Sequence, residues 1–419
     1  MLMGKECRKV LFSLTFVIYV AAVLAFYYTQ FDSGETVSAP KPGQEDYGSM
    51  VKEVPEVLMP AAATSLVREY LTGTYVAYPT GFYKEVKLSE KKTAEMAEVI
   101  AEITGLTPEE LEKYRTVNAD AREVEPDGNG SYYAVAHEPL DWPEYDLPET
   151  LTYKRFRELT KKADKIIGGG SRYSDGAIVS NFSRIPMTYE DALEEYRFFL
   201  EEDQVTGAYA RLFCDYVGIV VSILPVFVAA ALVNADRKAG VEQLLYSRKV
   251  SSTAIVSARY AALVVMLTVP VLLLAILASF GVLSRYPGES VDVFAIPRLA
   301  VCWLTPNIMV SSAFGMLLTE AFSPLPAVFL QGVWWVASVM GGGMGALTGK
   351  IGRFTLVCRH NDLYSAQRFR ECWDAFVFNR IFYTVLSVLV VMLTVLVYHG
   401  KRRGDFHVRH KDRGRQPKA

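Results

Sequence analysis

Few residues of this chain have the types and spacing that catalysis or metal binding requires. The 419 residues include five cysteines and five histidines, and they contain no Ser–His–Asp arrangement, nucleophile elbow or His-Glu-x-x-His motif. The formal net charge of −2 gives no argument for nucleic acid binding. We therefore predict that the chain is not an enzyme and that its partners include no nucleic acid.

The segment most similar to a phosphate-binding loop is Gly345-Ala-Leu-Thr-Gly349-Lys350-Ile351. Its glycines are one residue too close together, and Ile351 stands where a Ser or Thr hydroxyl would bind magnesium. We therefore predict no nucleotide site, no metal and no cofactor on this chain.

Two cysteines of one polar loop could form a disulfide. Thirteen residues separate Cys358 from Cys372, and in an oxidising compartment a bond between them would contribute about 3 kcal/mol through loop entropy. The alternative is a metal site made by Cys358, His360, Asp362 and Cys372, although their spacing matches no standard zinc motif. Two free thiols are the third interpretation.

The elements that carry these residues are mostly long apolar runs. Hydrophobic residues make up 51% of the chain, and about twenty in a row are enough for a helix to cross roughly 30 Å of hydrocarbon. The pattern predicts an α-helical polytopic membrane protein. The six predicted transmembrane helices are Val10–Tyr28, Leu212–Val233, Ile255–Phe280, Arg298–Thr319, Pro326–Leu347 and Ile381–Tyr398. We expect Pro306 to break the fourth.

Between the first and second spans, residues 32–207 have the composition of a folded soluble domain. We predict that it is extracytoplasmic, helix-rich and α+β. The predicted helices are Ala61–Leu71, Ser89–Thr104, one starting at Thr107-Pro108, and Met187–Asp203. The predicted strands are Ser131–Ala136 and Ala177–Phe182.

Basic residues set the predicted orientation in the cell membrane. Lys5, Arg8 and Lys9 precede the first span and a basic tail follows the sixth, so both termini are predicted to be cytoplasmic. The predicted divisions are 1–31 for the N-terminal tail and first helix, 32–207 for the extracytoplasmic domain, 208–398 for a five-helix transmembrane domain, and 399–419 for the cytoplasmic tail.

Two observations leave this topology open. A basic flank before an apolar run is also typical of a cleaved signal peptide, although no convincing small-x-small cleavage site follows Tyr28. The loop Thr348–Phe378 contains five Lys and Arg residues yet is predicted to lie outside. A re-entrant fourth or fifth segment would bring that loop inside and move the tail out.

A charged loop, Asn234–Tyr260, separates the second and third spans. Val241, Leu244 and Leu245 fall at i, i+3 and i+4, so a helix here would put them on one face. That face could fill a groove in a partner protein or lie on anionic lipid. The loop alone does not distinguish these interpretations.

The loop and the span layout together resemble the permease subunits of ABC-2 type transporters. In that family a first span, a large external domain and five further spans are typical, and the loop after span two has charged residues, Gly-x-Glu, a Leu-rich turn and a Ser-rich segment. Here the corresponding segments are Asp236–Lys238, Gly240–Glu242, Leu244–Leu245 and Ser247–Ser252. The chain departs from the family at Ala235, Lys249 and Arg259, where Glu, Pro and Lys are usual.

The resemblance implies that loop 234–254 contains a coupling helix for a separate ABC ATP-binding subunit, which would hold ATP and magnesium. The residues implied in that contact are Arg237, Lys238, Gly240, Val241, Glu242, Leu244 and Leu245. It also implies a second permease subunit, identical or different, and movement of a substrate outward or between leaflets. The alternative function is a membrane-anchored extracytoplasmic binding or sensor protein.

Polar residues within apolar runs are costly in lipid and usually face a partner or a pathway. Asn307 and Gln331 are candidates for the substrate pathway, and Asn307 could also cap backbone groups freed by Pro306. Asp215 and Glu320 lie near predicted span ends, where interfacial solvation would account for them.

Overall fold

The computed structural model describes residues 2–31, 36–79, 83–120, 142–289, 291–340, 351–360, 363 and 366–404. The predicted strand Ser131–Ala136, most of the phosphate-loop-like segment and residues 405–419 lie outside these ranges. The chain divides into two compact units. We call residues 1–38, 195–339 and 346–419 the bundle unit, and residues 39–194 with 340–345 the small unit.

Helices dominate the described chain. In order they are α1 Leu2–Leu11, α2 Leu14–Phe26, α3 Pro55–Thr72, α4 Glu90–Thr104, α5 Pro108–Asp120, α6 Tyr153–Ile167, α7 Ile178–Phe182, α8 Tyr189–Glu201, α9 Thr206–Val221, α10 Pro225–Lys238, α11 Glu242–Tyr246, α12 Ser252–Arg285, α13 Ala295–Ala321, α14 Pro324–Met340, α15 Ala366–Glu371 and α16 Trp373–Arg403. A π-helical turn, Tyr27–Phe31, extends α2.

Within the described ranges, five helical segments of the bundle unit are long and apolar enough to cross a membrane. They are Leu14–Phe31, Thr206–Lys238, Ser252–Arg285, Ala295–Ala321 and Trp373–Arg403. The chain therefore has the architecture of a helix-rich membrane protein. Helix α14 covers the predicted fifth span through Met340, and residues 341–347 of that span lie outside the described ranges.

Three predicted spans differ in detail from the structure. The first is interrupted after Leu11, because Ser13 starts a new helix by accepting from the Phe16 N–H at 3.2 Å. The second is interrupted at residues 222–224, just before Pro225, and we call this turn the bend between α9 and α10. The predicted break at Pro306 is wrong: α13 continues through it, since Pro306 is buried and neighbouring helices hold the turn in place.

Helix α13 lies at the centre of the bundle unit. Its buried face includes Trp303 and Ile308, and it approaches α10 so closely at Gly315 that an added Cβ would lie 3.1 Å from Ala229 Cβ. Glycine at this position therefore permits the tight packing of the two helices.

The small unit packs α3, α4 and α6 around a core that includes Leu58, Leu66 and Phe156. Two antiparallel strand pairs flank it, with Tyr75–Ala77 (β2) on Lys84–Val86 (β3) and Ser49–Val51 (β1) on Arg184–Pro186 (β4). The predicted helices are confirmed as α3, α4, α5 and α8. The predicted strand Ala177–Phe182 is wrong, because Ile178 and Phe182, four residues apart, are both buried by the helix α7.

Candidate functional site

Helix α11 is a short helix between two well-defined helix ends. Helix α10 has Arg237 and Lys238 in its last turn, where basic side chains interact favourably with the helix dipole. Gly240 follows with φ of +66°, a left-handed conformation that glycine adopts without strain. Ser251 then caps α12, its hydroxyl accepting from the Ala254 N–H at 3.1 Å.

Arg237 joins this loop to the C-terminal end of α13. Its guanidinium donates to the main-chain oxygens of Thr319 at 2.8 Å, Glu320 at 2.7 Å and Phe322 at 3.2 Å. Carbonyls at a helix end lack helical donors, so this side chain satisfies them. Arg237 Nε also donates to Glu242 Oε1 at 3.0 Å. One side chain therefore connects α10, α11 and α13.

Asp236 joins the same loop to α12 and α1. It accepts from Arg259 Nη2, and its other oxygen lies 3.3 Å from Lys9 Nζ. Glu6 lies 3.5 Å from Arg259 Nε and 3.1 Å from Lys9 Nζ. Because Asp236, Arg259 and Glu6 are buried, salt screens these pairs much less than it screens surface pairs.

The C-terminal end of α16 lies at the same end of the bundle unit. Lys401 Nζ contacts the main-chain oxygen of Glu320 and lies 3.4 Å from Glu320 Oε1. Arg402 donates to the main-chain oxygens of Val250 and Arg248, both at 2.5 Å. The last helix is thereby bonded to the loop that precedes α12.

We call this set of ion-paired side chains the loop-face network. Its members are Glu6, Lys9, Asp236, Arg237, Glu242, Arg259, Glu320 and Lys401. Four members are acidic and four are basic, so the network is neutral. Breaking a buried pair by removing one partner typically costs about 3 to 5 kcal/mol, and the network therefore holds the ends of several helices as one block.

Three of the residues predicted to contact a partner are exposed. Leu244 is 62% exposed, and Lys238 and Gly240 are also exposed. They lie on the surface at the end of the bundle unit that carries the loop-face network.

The other four predicted contact residues are directed partly or wholly into the protein. Arg237 and Glu242 pair with each other, and Val241 and Leu245 are half-buried. Leu245 lines a small cavity beside Tyr246. The three apolar residues therefore do not form one exposed face, because α11 has only five residues and rests against the bundle.

Sequence reasoning missed most of the network. Glu6, Lys9 and Lys401 are far from the loop in sequence, and their spacing carries no sign of the contact. Arg259 offered one signal, because a charge within an apolar run needs a partner. Glu320 is 5% exposed and paired, so the interpretation that it is solvated at an interface is wrong.

Asn307 and Gln331 meet at the bend between α9 and α10. Asn307 Nδ2 donates to Ser222 Oγ at 2.7 Å, and Gln331 Nε2 donates to the Ser222 main-chain oxygen at 2.7 Å. Pro225 disrupts the helical bonds of this turn, and Trp335 Nε1 satisfies another of its carbonyls at 2.8 Å. Both predicted pathway residues are fully buried and support this bend.

Asp215 is part of a second charged cluster, where residues 351–360 pack against the bundle. Its Oδ1 accepts from Arg359 Nε at 2.9 Å and from the His360 N–H at 2.6 Å. Asp215 is fully buried, so interfacial solvation does not account for it. A paired carboxylate anchors the segment instead.

Arg380 holds the same segment to α13. Its Nη1 donates to Asn307 Oδ1 and to the Trp303 main-chain oxygen, both at 2.7 Å. Its Nη2 lies 3.1 Å from Cys358 Sγ. This buried guanidinium therefore links α16, α13 and residues 351–360.

The predicted disulfide is absent, since Cys358 and Cys372 are both free thiols. Burial raises the pKa of the Cys358 thiol, and Arg380 offsets this only in part. The neutral thiol is a poor nucleophile and a poor metal ligand. Asp362 lies outside the described residues, and within the described ranges no three His, Cys, Asp or Glu side chains are grouped to hold a metal ion.

The chain matches no protein-family model, no curated protein and no solved structure. Its function is therefore inferred from the geometry above and from the resemblance of its sequence.

Proposed function

We propose that the chain is the transmembrane subunit of an ATP-binding-cassette exporter of the ABC-2 type. A separate ATP-binding subunit binds ATP and magnesium and docks on loop 234–254. A second permease subunit, identical or different, completes the transporter. The substrate moves outward or between leaflets.

The observation that carries this proposal is that one part of the loop is exposed at the surface while a neighbouring part is bonded to the bundle. Leu244 is 62% exposed at the surface, as a docking side chain must be. Arg237, seven residues before it, donates to three main-chain oxygens at the end of α13. A push on α11 therefore passes through Arg237 to a helix at the centre of the bundle.

The loop-face network extends this path to the other helices. Asp236 pairs with Arg259 on α12, and Glu320 pairs with Lys401 on α16. When ATP closes the partner subunits, α10, α12, α13 and α16 move together because their ends share these pairs. The motion reaches the bend between α9 and α10, where Asn307 and Gln331 are bonded to Ser222.

The helix ends that meet at the loop-face network support a topology with six crossings and both termini in the cytoplasm. The end of α1, the end of α13 and the end of α16 all contact the loop-face network. Because α13 and α16 both end on the same side, α16 begins on the opposite side. The chain between the end of α13 and the start of α16 must therefore cross the membrane. Helix α14 runs in that direction, with Gln331 at Ser222 and Ser338 Oγ accepting from the Val357 N–H at 2.9 Å.

This topology puts residues 32–207 and the basic loop Thr348–Phe378 outside. Two of the five basic residues of that loop have acidic partners. Arg359 pairs with Asp215 at 2.9 Å, and Arg370 lies 3.4 Å from Glu202.

One feature of the small unit favours the alternative of an extracytoplasmic binding or sensor protein. An open groove of about 830 Å³ lies between α4 and α5. Four acidic side chains line it, Glu90, Glu98, Glu109 and Glu112, against the two basic side chains of Lys113 and Arg115. An acidic groove of this size fits a cationic ligand, and such a ligand would need no ATPase.

The test is purification of the full-length chain by a tag, followed by assay of the captured material for ATP hydrolysis. We expect an ATPase to co-purify. Leu244→Asp should weaken its capture roughly tenfold or more, because burying a leucine side chain contributes about 1.5 to 3 kcal/mol and a carboxylate is costly to desolvate. Glu242→Lys, which sets two cations side by side, should weaken it as well.

The matched control is Val117→Asp, which makes the same kind of change at a side chain 47% exposed in the small unit. It should leave the captured ATPase unchanged. If no ATPase co-purifies, or if Leu244→Asp and Val117→Asp behave alike, the exporter proposal fails and the binding or sensor function gains support.

A further inference from the structure

The charged residues of helix α1 differ in whether the loop-face network uses them. Glu6 is buried, and Lys9, although exposed, pairs with Glu6 and Asp236. Lys5 and Arg8, three residues apart and therefore on one side of the helix, are exposed. The outward face of α1 thus presents two cations that the network does not use.

The residues after these cations are apolar and exposed. Leu11, Phe12 and Leu14 are 46%, 75% and 73% exposed, and Leu14 begins a segment long and apolar enough to cross a membrane. The Arg8 guanidinium lies 5.8 Å from the centre of the Phe12 ring. Basic side chains directly beside exposed apolar ones match the boundary between lipid headgroups and acyl chains.

Charge at this end of the bundle unit is segregated between inside and outside. In the described ranges 2–13, 234–254, 318–324 and 398–404, all four acidic residues belong to the loop-face network. The exposed charged residues of those ranges outside the network are all basic: Lys5, Arg8, Lys238, Arg248, Lys249 and Arg403. The surface is therefore complementary to an anionic one.

We propose that the outward face of α1 binds the headgroups of anionic phospholipids. Lys5 and Arg8 contact the phosphates, while Phe12 and Leu14 enter the acyl region. Bilayer lipid fits this face better than a protein partner, because the apolar side chains lie at the start of a membrane-crossing segment. The proposal does not depend on an ATPase partner, so it stands or falls separately from the exporter function.

The test places a reporter beside the predicted site in the full-length chain. Bimane is attached at Leu11→Cys after Cys7, Cys302 and Cys372 are replaced by Ser, and the protein is reconstituted in phosphatidylcholine vesicles. Phosphatidylglycerol or phosphatidylcholine, spin-labelled near the headgroup, is then titrated in. Quenching of bimane reports how strongly each lipid occupies the surface of α1.

Phosphatidylglycerol should reach half-quenching at a mole fraction roughly 25-fold lower than phosphatidylcholine, since each of the two cations contributes about fivefold near an anionic surface. The double variant Lys5→Gln/Arg8→Gln should remove this preference. The control Lys91→Gln/Lys113→Gln, which removes the same charge from exposed positions of the small unit, should retain it. High salt should weaken the preference of the unaltered chain.

Equal quenching by both lipids in the unaltered chain would overturn the proposal. So would a preference that survives Lys5→Gln/Arg8→Gln. If that variant instead loses a co-purifying protein while its lipid preference is intact, the face belongs to a protein partner and the lipid assignment is wrong.

Discussion

Arg237 is bonded both to a surface loop and to a buried helix end. Its five donors suit this position, because a guanidinium presents them in a fixed planar arrangement. Three main-chain oxygens of α13 and its C-cap and the carboxylate of Glu242 accept from it. The proposed function therefore assigns partner binding and force transmission to different residues, which mutation separates.

We expect Arg237→Gln to leave the ATPase bound but to reduce the stimulation of its activity by assembly with this chain. The docking side chain Leu244 is unchanged, whereas the α13 carbonyls lose their donors. Buried hydrogen bonds to a charged group contribute about 1.5 to 3 kcal/mol each, so thermal unfolding of the bundle should also occur at lower temperature. Capture and ATP hydrolysis are measured on the same preparation.

Arg248→Gln is the matched control, because it removes a positive charge from another exposed side chain of the same loop. It should leave coupling and unfolding temperature near those of the unaltered chain. Equal effects of the two variants would mean that charge at the loop, and not the bonds to α13, determines coupling.

Glu69 is a carboxyl group in the core of the small unit. It is 9% exposed, and Arg172 Nε lies 4.0 Å from its Oε1. Burial raises the pKa of Glu69 to about 7, although the Tyr173 hydroxyl and Arg172 oppose the shift. The folded unit therefore favours the protonated carboxyl group.

We expect the small unit to lose stability as the pH rises from about 4.5 to about 7. In that window the folded unit keeps the Glu69 proton while the unfolded chain, with the ordinary pKa of 4.5, releases it. The full shift corresponds to about 3 kcal/mol, and Glu69→Gln should remove this pH dependence. Hydrogen exchange of α3 peptides, corrected for the intrinsic pH effect, measures this stability as a function of pH.

Glu56→Gln, at an exposed carboxyl group of the same helix, is the control and should keep the pH dependence. An unaltered profile in Glu69→Gln would contradict this account.

The bend between α9 and α10 shows how elements of the bundle are adapted to one another. The turn before Pro225 leaves carbonyls without helical donors, and α14 supplies Gln331 and Trp335 to satisfy them. Helix α14 thus has side chains that fit the bend in its neighbour. The bend is held by specific bonds, so it is a defined feature and not a flexible break.

We expect Gln331→Leu to destabilise the bundle by about 1 to 3 kcal/mol, because the buried Ser222 carbonyl loses its donor. Thermal unfolding of the purified chain in detergent measures the change. Gly332→Ala is the control on the next residue, where a Cβ would meet no heavy atom within 4 Å. It should be neutral or stabilising, since alanine favours helix over glycine by up to about 1 kcal/mol. Similar losses of stability in both variants would show that α14 is sensitive to any substitution, and would contradict a specific role for the Gln331 hydrogen bond.

At the scale of elements, the sequence predicted the helices and helix starts that a local residue pattern determines. Runs of apolar residues gave the long helices, and Ser89 and Thr107 marked the starts of α4 and α5. The bend at Ser222 escaped notice because Pro225 lies within an otherwise uninterrupted apolar run. The continuity of α13 through Pro306 was mispredicted because neighbouring helices, absent from a local pattern, hold that turn.

At the scale of the whole molecule, ion pairs between distant segments fix which helix ends lie together. Glu6 meets Arg259 at 3.5 Å although 252 residues lie between them in the sequence, and no spacing rule predicts such a contact. A count of basic residues per loop takes no account of such pairs, and Arg359 of the basic loop is matched by Asp215 within the fold. Composition predicted the class of membrane protein, whereas the arrangement of the charges depends on how distant helices pack together.

The most direct test of the central claim is to identify what touches Leu244 in the cell. A photo-crosslinking amino acid at position 244 should capture a protein that contains Walker-type nucleotide-binding motifs, identified by mass spectrometry. The same probe at Leu277, an exposed position within an apolar span, should capture no such protein. Capture of a Walker-type ATPase from position 244 alone is the predicted result. Capture of lipid only, or of a protein without nucleotide-binding motifs, would contradict the assignment of this loop as the docking element of an exporter.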